Sequence, residues 1–531
     1  MDKRKYPFDL LTMKSFGLDE WINGYFDEWP ITVDEIIEIN SSIQKIFHSY
    51  ILEGSDGYSD ILLAGYKLYY ECSIFTIHAI AFDRLTRNNY DVVYNHNTPY
   101  LGFLSDKDEE IKTYSYSNKL IPKIPNTSYK IKQRINNYLR YNRDPVSDLT
   151  SNNNKNNFLC VSYPTKKLID FANSHNRGLK IVYPYNFIGN YNYKTNDFRE
   201  ITNSIITDVV DVINHFGTTL DNHKISQLKS LTINILEKID LNVFQISKYF
   251  MNIKPTLVLT PIFGNIFSRS ACIAAKRNNH KVVGHSHGGN IGMLTSSVWG
   301  AIDLALADEY IVENNISKEL WKSYATNHEL VDEKRIKFTI VEGDYFKNLS
   351  KKTNKQYLNK IESRIDIKTI MIYELNMKHV SLGSPHYYWQ YLLDLLLRVA
   401  KDLKTNGFTT ILKRSPMSLV ETNNLYNKFF DRIIDDKFEE CFYEADAILF
   451  IYSTSTGFPF SLHTKLPVVI FSHELDHYQD YVQADLKERI SVVKTSFVKN
   501  KIMYNEAELI KAFTNNRNNL NQNFINKYYL S

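Results

Sequence analysis

The chain has 531 residues, 43% of them hydrophobic and 23% charged, and a formal net charge of +4. That length predicts two or more domains, and the small charge excludes a wholesale polyanion binder while leaving room for a local basic face. The scattered cysteines Cys72, Cys160, Cys272 and Cys441 form no C-x-x-C pair and predict buried thiols in a reducing compartment rather than a disulfide scaffold.

The opening stretch MDKRKYPFDLLTMKSFG carries positive charge with no long apolar run behind it, so no signal peptide is expected. No apolar run approaches the roughly 18 residues of a membrane span. The expectation is a cytoplasmic protein, at most peripheral to the inner face of a membrane. DEWPITVDEIIEINSSIQKIFHSY and YSDILLAGYKLYYECSIFTIHAIAFDRLTR read as helical, and DVVYNHN as a first strand. Residues 119–143, KLIPKIPNTSYKIKQRINNYLRYNR, are basic and interleaved with tyrosine. They read either as a solvated helix face or as a surface for anionic lipid or a lipid-linked acceptor. No nucleic-acid motif accompanies them, so nucleic acid is not an expected partner.

From about residue 160 onward, short β-rich apolar runs alternate with amphipathic segments, the pattern of βαβ units and parallel sheets. FLCVSY, LKIVYPY, PTLVLTPIF, HKVVGHS and DEYIVEN form a first strand series. KFTIVEG, KTIMIYEL, FTTILKRS, DAILFIYST and LPVVIFS form a second. Within the second, YYWQYLLDLLLRVAKDLKTNG has apolar residues at helical spacing and an Asn-Gly stop. ISKELWKSYATNHELVDEKR separates the two series and sets a domain boundary near Arg335, giving domains 1–334 and 335–531. The tail NEAELIKAFTNNRNNLNQNFINKYYL reads as one or two closing helices.

Residues 282–292, VVGHSHGGNIG, match the G-x-S-x-G pattern of a hydrolase nucleophile elbow, with Ser286 between two histidines. Such an elbow needs an acid and then a histidine later in the chain. Asp476 qualifies as the acid, but the last histidine is the adjacent His477, so no later loop supplies a base. The hydrolase is therefore a remote alternative. His285 and His287 in H-x-H spacing also suggest metal ligands, but no third or fourth ligand follows at a metal-site spacing. A structural turn with one histidine packed inward is the competing reading.

The same residues carry a family resemblance. A strand ending in the His287-Gly288 turn, a preceding Ser268-Arg269 in FSRSACIAAKRNNH, the strand ADEYIVEN and the crossover IVEGDYFKNL occur in this order. Lys413-Arg414-Ser415-Pro416 then follows a strand, and DAILFIYSTSTGFPFSLHTKLPVVIF supplies a strand, a Ser/Thr turn and a helix. Over roughly residues 255 to 480 the chain resembles the GT-B glycosyltransferases of bacterial surface polysaccharides, the capsule, lipopolysaccharide and teichoic-acid transferases. One departure stands out. The family has histidine before the proline where this chain has Ser415, so Arg414 is expected to supply the charge.

The resemblance implies an α/β GT-B fold, two Rossmann-like parallel-sheet domains facing a central cleft. It implies an inverting transferase that moves a sugar from a nucleotide-sugar donor to a surface glycan or lipid-linked acceptor. A phosphoglycerol-type phosphotransferase on the same fold is the nearest alternative, and a non-catalytic glycan- or nucleotide-binding scaffold is another. The acceptor hydroxyl must lose a proton, which suits a base with pKa near neutrality. His287 is the expected base, with Asp56 in LEGSDGY as the alternative. Lys413, Arg414, Ser415, Pro416 and the turn Ser453, Thr454, Ser455, Thr456 are expected around the donor phosphates, against the plainer reading of a surface pair and a helix cap. Gly288, Gly289, Ser268 and Arg269 are expected where ligand approaches the backbone. No cofactor is expected, the nucleotide-sugar being a substrate and the reaction metal-independent.

Overall fold

The computed structural model describes residues 3–18, 29–95, 98–107, 111, 113, 157–182, 193–261, 263–285, 291–295, 300, 303–341, 367–374, 389–414, 426–455, 457–498, 500–514 and 521–530. Near the N-terminus, β1 (Arg4–Pro7) pairs in parallel with β2 (Tyr90–Val93). After the short helix Leu10–Phe16, three further helices lie between them among the described residues: Val33–Glu53, Asp56–Ala64 and Leu68–Arg87. The first starts where it does because of a capping box. Thr32 accepts from the Glu35 backbone N–H while the Glu35 carboxylate accepts from that of Thr32. Glu35 is also paired with Arg84 of the third helix at 2.8 Å, which ties the two helices together.

The first large sheet contains β3 (Phe158–Val161), β4 (Leu179–Val182), β5 (Leu257–Thr260), β6 (Lys281–His285), β7 (Glu309–Val312) and β8 (Lys337–Ile340). Its order is β4-β3-β5-β6-β7-β8, all parallel. The second contains β9 (Thr369–Tyr373), β10 (Thr409–Lys413), β11 (Arg432–Ile434), β12 (Ala447–Phe450), β13 (Val468–Phe471) and β14 (Ser491–Val493). Its order is β11-β10-β9-β12-β13-β14, also parallel. Every residue of β3, β7, β12 and β13 is buried. Strands covered by helices on both faces must be apolar throughout, which explains the unbroken runs FLCV, AILF and VVIF. An antiparallel hairpin, β15 (Thr495–Val498) with β16 (Lys501–Tyr504), follows the second sheet.

One expected boundary is corrected. KFTI does not open the second domain. As β8 it closes the edge of the first sheet, with Lys337 opposite Glu309 and Ile340 opposite Val312. Lys337 and Thr339 both reach the Glu309 carboxylate, so polar contacts hold this half-exposed edge in register. Four residues of strand pattern carry no mark of the sheet they join. The chain passes between domains after Ile340 and before Thr369.

In each sheet the first strand is internal, and the chain turns to one side and then the other. β3 lies between β4 and β5, and β9 between β10 and β12. These are topological switch points, where open α/β sheets collect ligands beyond the carboxyl ends of their strands. The molecule is thus an α/β protein of two Rossmann-like parallel-sheet domains, the GT-B architecture. The segment after β6 meets the segment after β13. The Thr295 N–H donates to the His477 carbonyl at 2.7 Å, that of Gln479 to the Met293 carbonyl at 3.0 Å, and the Gln479 carboxamide to the Gly292 carbonyl at 3.0 Å. The C-terminal tail adds a link, Asn314 Nδ2 donating to the Tyr528 carbonyl at 3.3 Å. All these groups lie beyond strand carboxyl ends or on the tail, so the two carboxyl edges face each other across the cleft. Among the described residues, no helix is long and apolar enough to cross a membrane.

Candidate functional site

On the first domain, β3 ends at Val161 and Ser162 turns the chain with φ of 78°, its N–H donating to the Val182 carbonyl at 3.0 Å. Thr165 then caps the helix Lys166–Ser174 by accepting from the Leu168 N–H. The same hydroxyl lies 2.8 Å from His285 Nε2, at the end of β6. Lys167 on that helix forms an ion pair with Glu313, the residue after β7. Burial pushes the Glu313 carboxyl up, but the Lys167 ammonium and, more weakly, the field of His285 outweigh it and hold the group below its ordinary value. Glu313 is therefore ionised at neutral pH. Imidazole, hydroxyl, ammonium and carboxylate converge on one rim, from β3, β6 and β7.

On the second domain, the carboxyl ends of β9, β10 and β12 bring together Tyr373, Lys413 and the turn that starts at Ser453. The Tyr373 ring stacks on Phe450 with centroids 4.9 Å apart. It also lies where a side chain at Gly457 would sit: an added Cβ would come within 2.6 Å of Tyr373 Cε2. Gly457 is required there so that the helix Gly457–Leu462 can start against the ring. Lys413 is buried, its Nζ donates to the Arg414 carbonyl at 2.5 Å, and it lies over the Tyr373 ring. Burial lowers its pKa against the pull of Asp435 and Glu374.

Ser453 is fully buried and donates both its N–H, at 2.6 Å, and its hydroxyl, at 2.8 Å, to Glu474 Oε2. Glu474 is itself fully buried, and burial pushes its carboxyl up to about 8 although the two Ser453 bonds favour the ionised form. The Thr454 hydroxyl beside them is buried with no hydrogen-bond partner among the described residues. A donor–acceptor group left unsatisfied at a switch point is available to a ligand.

Several expected site residues are placed elsewhere. Ser268 and Arg269 are both buried in the helix Ile266–Arg277. The Arg269 guanidinium donates Nε and Nη2 to the Leu63 carbonyl at 2.8 and 2.5 Å and lies over the Tyr66 ring. It clamps the helix Ile266–Arg277 onto the N-terminal helices, its fork used up by backbone carbonyl and aromatic face. Asp56 opens the helix Asp56–Ala64, and the direction of that helix removes it from the rim. Leu63 meets Arg269 near the start of Ile266–Arg277, and Asp60 meets Arg277 at its end, 2.9 Å away. That helix descends from the carboxyl edge, so Asp56 lies a turn below Asp60, at the opposite edge of the domain. Arg414 is not an uncommitted phosphate cation either. Its guanidinium grips Asp435, with Nε 2.6 Å from Oδ1.

Ser286, His287, Gly288, Gly289, Ser415, Pro416, Thr456 and the basic stretch 119–143 lie outside the described residues. Sequence reading missed Thr165, Lys167, Glu313 and Glu474. Only the Glu313-Asn314 step after a strand, with a capping Asn, hinted that a rim lay there.

No protein-family model matches the chain, and no curated protein matches it in sequence. Among solved structures it is similar to a glycosyltransferase from Rickettsia africae, at 14% identity over 71% of this chain and 95% of that one, TM-score 0.36. It is similar to HepE of Anabaena in complex with UDP and glucose, at 10% identity over 70% and 95%, TM-score 0.33. CalG4, the calicheamicin glycosyltransferase, is similar at 11% identity over 71% and 94%, TM-score 0.36.

Proposed function

We propose that the chain is an inverting glycosyltransferase that takes a sugar from a nucleotide-sugar donor held on the second domain and adds it to a surface glycan or lipid-linked acceptor held on the first. The observation that carries this reading is the meeting of two switch-point rims of unlike chemistry. One offers an imidazole, a hydroxyl and an ion pair, and the other a hydroxyl-rich turn over an aromatic ring with a buried cation behind it. That is the division a two-substrate transfer needs.

In the proposed step His287 takes the proton of the acceptor hydroxyl as its oxygen attacks the anomeric carbon. The bond from that carbon to the nucleotide phosphate breaks, and the phosphate leaves with the electron pair. A single displacement inverts the carbon. The ring of His285, which ends β6 two places before His287 in the sequence, is held by Thr165. Lys413 acts on the donor through its charge, which counts for more in its desolvated position than at the surface.

The test pairs two variants. A thermal-shift screen with UDP, CDP, CMP and dTDP selects the nucleotide, since a ligand that binds only the folded state raises apparent stability. His287→Ala is expected to cut turnover of the matching donor by ~10²–10⁴ while leaving nucleotide affinity unchanged in a calorimetric titration. Lys413→Met, which keeps the stem and removes the charge, is expected to weaken nucleotide binding. Full activity in His287→Ala, or equal loss of nucleotide affinity in both variants, would deny His287 the role of base.

A further inference from the structure

A cavity of about 590 Å³ opens at the end of the first domain opposite the rim. Phe158, Leu257 and Lys281, the first residues of β3, β5 and β6, are among its lining, which fixes its place at the amino edge of the sheet. One strand length, about 13 Å for four residues, separates it from His285 and Thr165. Its polar lining includes Arg177, Lys254, Lys281 and Thr256 with Asn157, Asn252 and Asn279, and among the described residues it contains no carboxylate.

The walls are held in place. Asn157 lies against a bare glycine, since a Cβ at Gly178 would come within 2.8 Å of its Oδ1. The loop from Phe250 to Thr256 is pinned by His280, whose ring is buried. His280 Nδ1 accepts from the Thr256 N–H at 3.2 Å, which leaves Nε2 to donate to the Phe250 carbonyl at 3.4 Å. Asn279 takes φ of 60° to make the turn into β6. The charge of the two lysines is not cancelled by the described carboxylates nearby. Asp308 is bound to Lys276 at 3.0 Å and to the Val282 N–H, and Asp60 to Arg277. Lys254 and Lys281 are exposed and make no ion pair among the described residues.

We infer that this cavity binds an acidic sugar, a saccharide unit bearing a phosphate or a carboxylate, at a site separate from the transfer rim. The cations answer the acidic group. Carboxamides both donate and accept, which suits hydroxyls that do the same. Phe158 and Leu257 offer an apolar floor to the C–H face of a sugar ring. A simple anion would need only the charges, and a neutral sugar would leave the two lysines unused. This inference does not rest on the transferase reading.

The test titrates glucose 6-phosphate, glucuronate, inorganic phosphate and glucose into the full chain by calorimetry. The same series is run on a Lys254→Ala/Lys281→Ala double variant and on Lys413→Met. At least one of the two acidic sugars is expected to bind, and which of them binds identifies the acidic group. Its affinity should fall at least about tenfold in the double variant, the loss of charge-assisted contacts, and stay unchanged in Lys413→Met. Inorganic phosphate and glucose should each bind at least about tenfold more weakly. Because both lysines are exposed, the double variant should melt with the wild type. Binding of neither acidic sugar, undiminished affinity in the double variant, or inorganic phosphate matching glucose 6-phosphate would overturn the inference.

Discussion

Glu474 is buried, the only hydrogen bonds to its carboxylate among the described residues come from Ser453, and His473 Nε2 stands 3.9 Å away, beyond hydrogen-bonding distance. Its folded pKa, pushed up to about 8 by burial, lies above the ordinary value of 4.5 that an unfolded chain restores. Between those values the folded state holds a proton that the unfolded state has lost. The stabilisation is complete below about 4.5 and is lost as pH rises through about 8. Glu474→Gln keeps the shape and cannot titrate. The wild type is therefore expected to lose melting temperature more steeply than Glu474→Gln between pH 5 and pH 8, each kcal/mol being worth about 2–4 °C in a domain of this size. Melting curves of both proteins at several pH values decide it, and parallel trends would sink the assignment. Asp303, also pushed up, to about 7, by burial, titrates in both proteins and cancels. None of this was legible in SHELDH, because Glu474 and Ser453 meet only once β12 and β13 pair. Arg269 misled for the opposite reason: a Ser-Arg step at a helix start looks like a ligand site until Leu63, far away in sequence, takes the guanidinium.

At the scale of elements, the strands were legible wherever both faces are covered, since burial on two sides leaves an unbroken apolar run. The edges were not. β11 and β14 have three residues each, too few for a pattern, and β8 could be assigned to a sheet only by its partner. The elbow-like string VVGHSHGG shows how one element can imitate another. Its first glycine has a local cause unrelated to a nucleophile. Gly284 lies in β6 beneath the Phe263 ring, and an added Cβ would come within 2.0 Å of Phe263 Cε2. Phe263 is itself buried, and its carbonyl faces Arg269 Nη1 at 3.5 Å, so the ring has little freedom to retreat. Gly284→Ala is therefore expected to cost about 1–3 kcal/mol, the usual penalty for overpacking. Gly284→Ala with Phe263→Leu should recover part of it. Denaturant unfolding of the single and double variants measures both terms, and an Ala at 284 with no cost would show that the strand bends freely there.

At the scale of the molecule, two domains of similar plan are joined by contacts that include Tyr391 and Asn500 donating to the Ile31 and Trp29 carbonyls, and the tail adds others. Tyr529 touches both sides. Its hydroxyl points to Met293 Sδ at 3.9 Å, beyond β6 of the first domain, while its ring meets the His463 ring edge-on at 5.2 Å in the second. The next tyrosine along shares the task, the Tyr528 carbonyl accepting from Asn314 and its hydroxyl donating to Asp485 at 2.7 Å. The Met293 carbonyl also accepts from the Gln479 N–H, so the tail and the Gln479 contact share one residue of the first domain. The helical pattern of the tail was legible in sequence, but its docking was not, because NKYYL carries no sign of which surface its tyrosines fill. Tyr529→Ala removes a buried aromatic, a loss of about 3–5 kcal/mol in a core. Because the ring bridges two bodies, part of that energy is coupling between them rather than stability of either. Calorimetry is expected to show the wild type melting as one transition and Tyr529→Ala as two, with the second domain melting first. A single peak that moves down without splitting would mean the tyrosine belongs to the core of one domain alone. A matching test replaces Gln479, another bridging side chain, by alanine. If the tail and the Gln479 contacts hold the same interface, the double variant should split no further than the more disruptive single one, a non-additivity expected of residues that share a partner such as Met293.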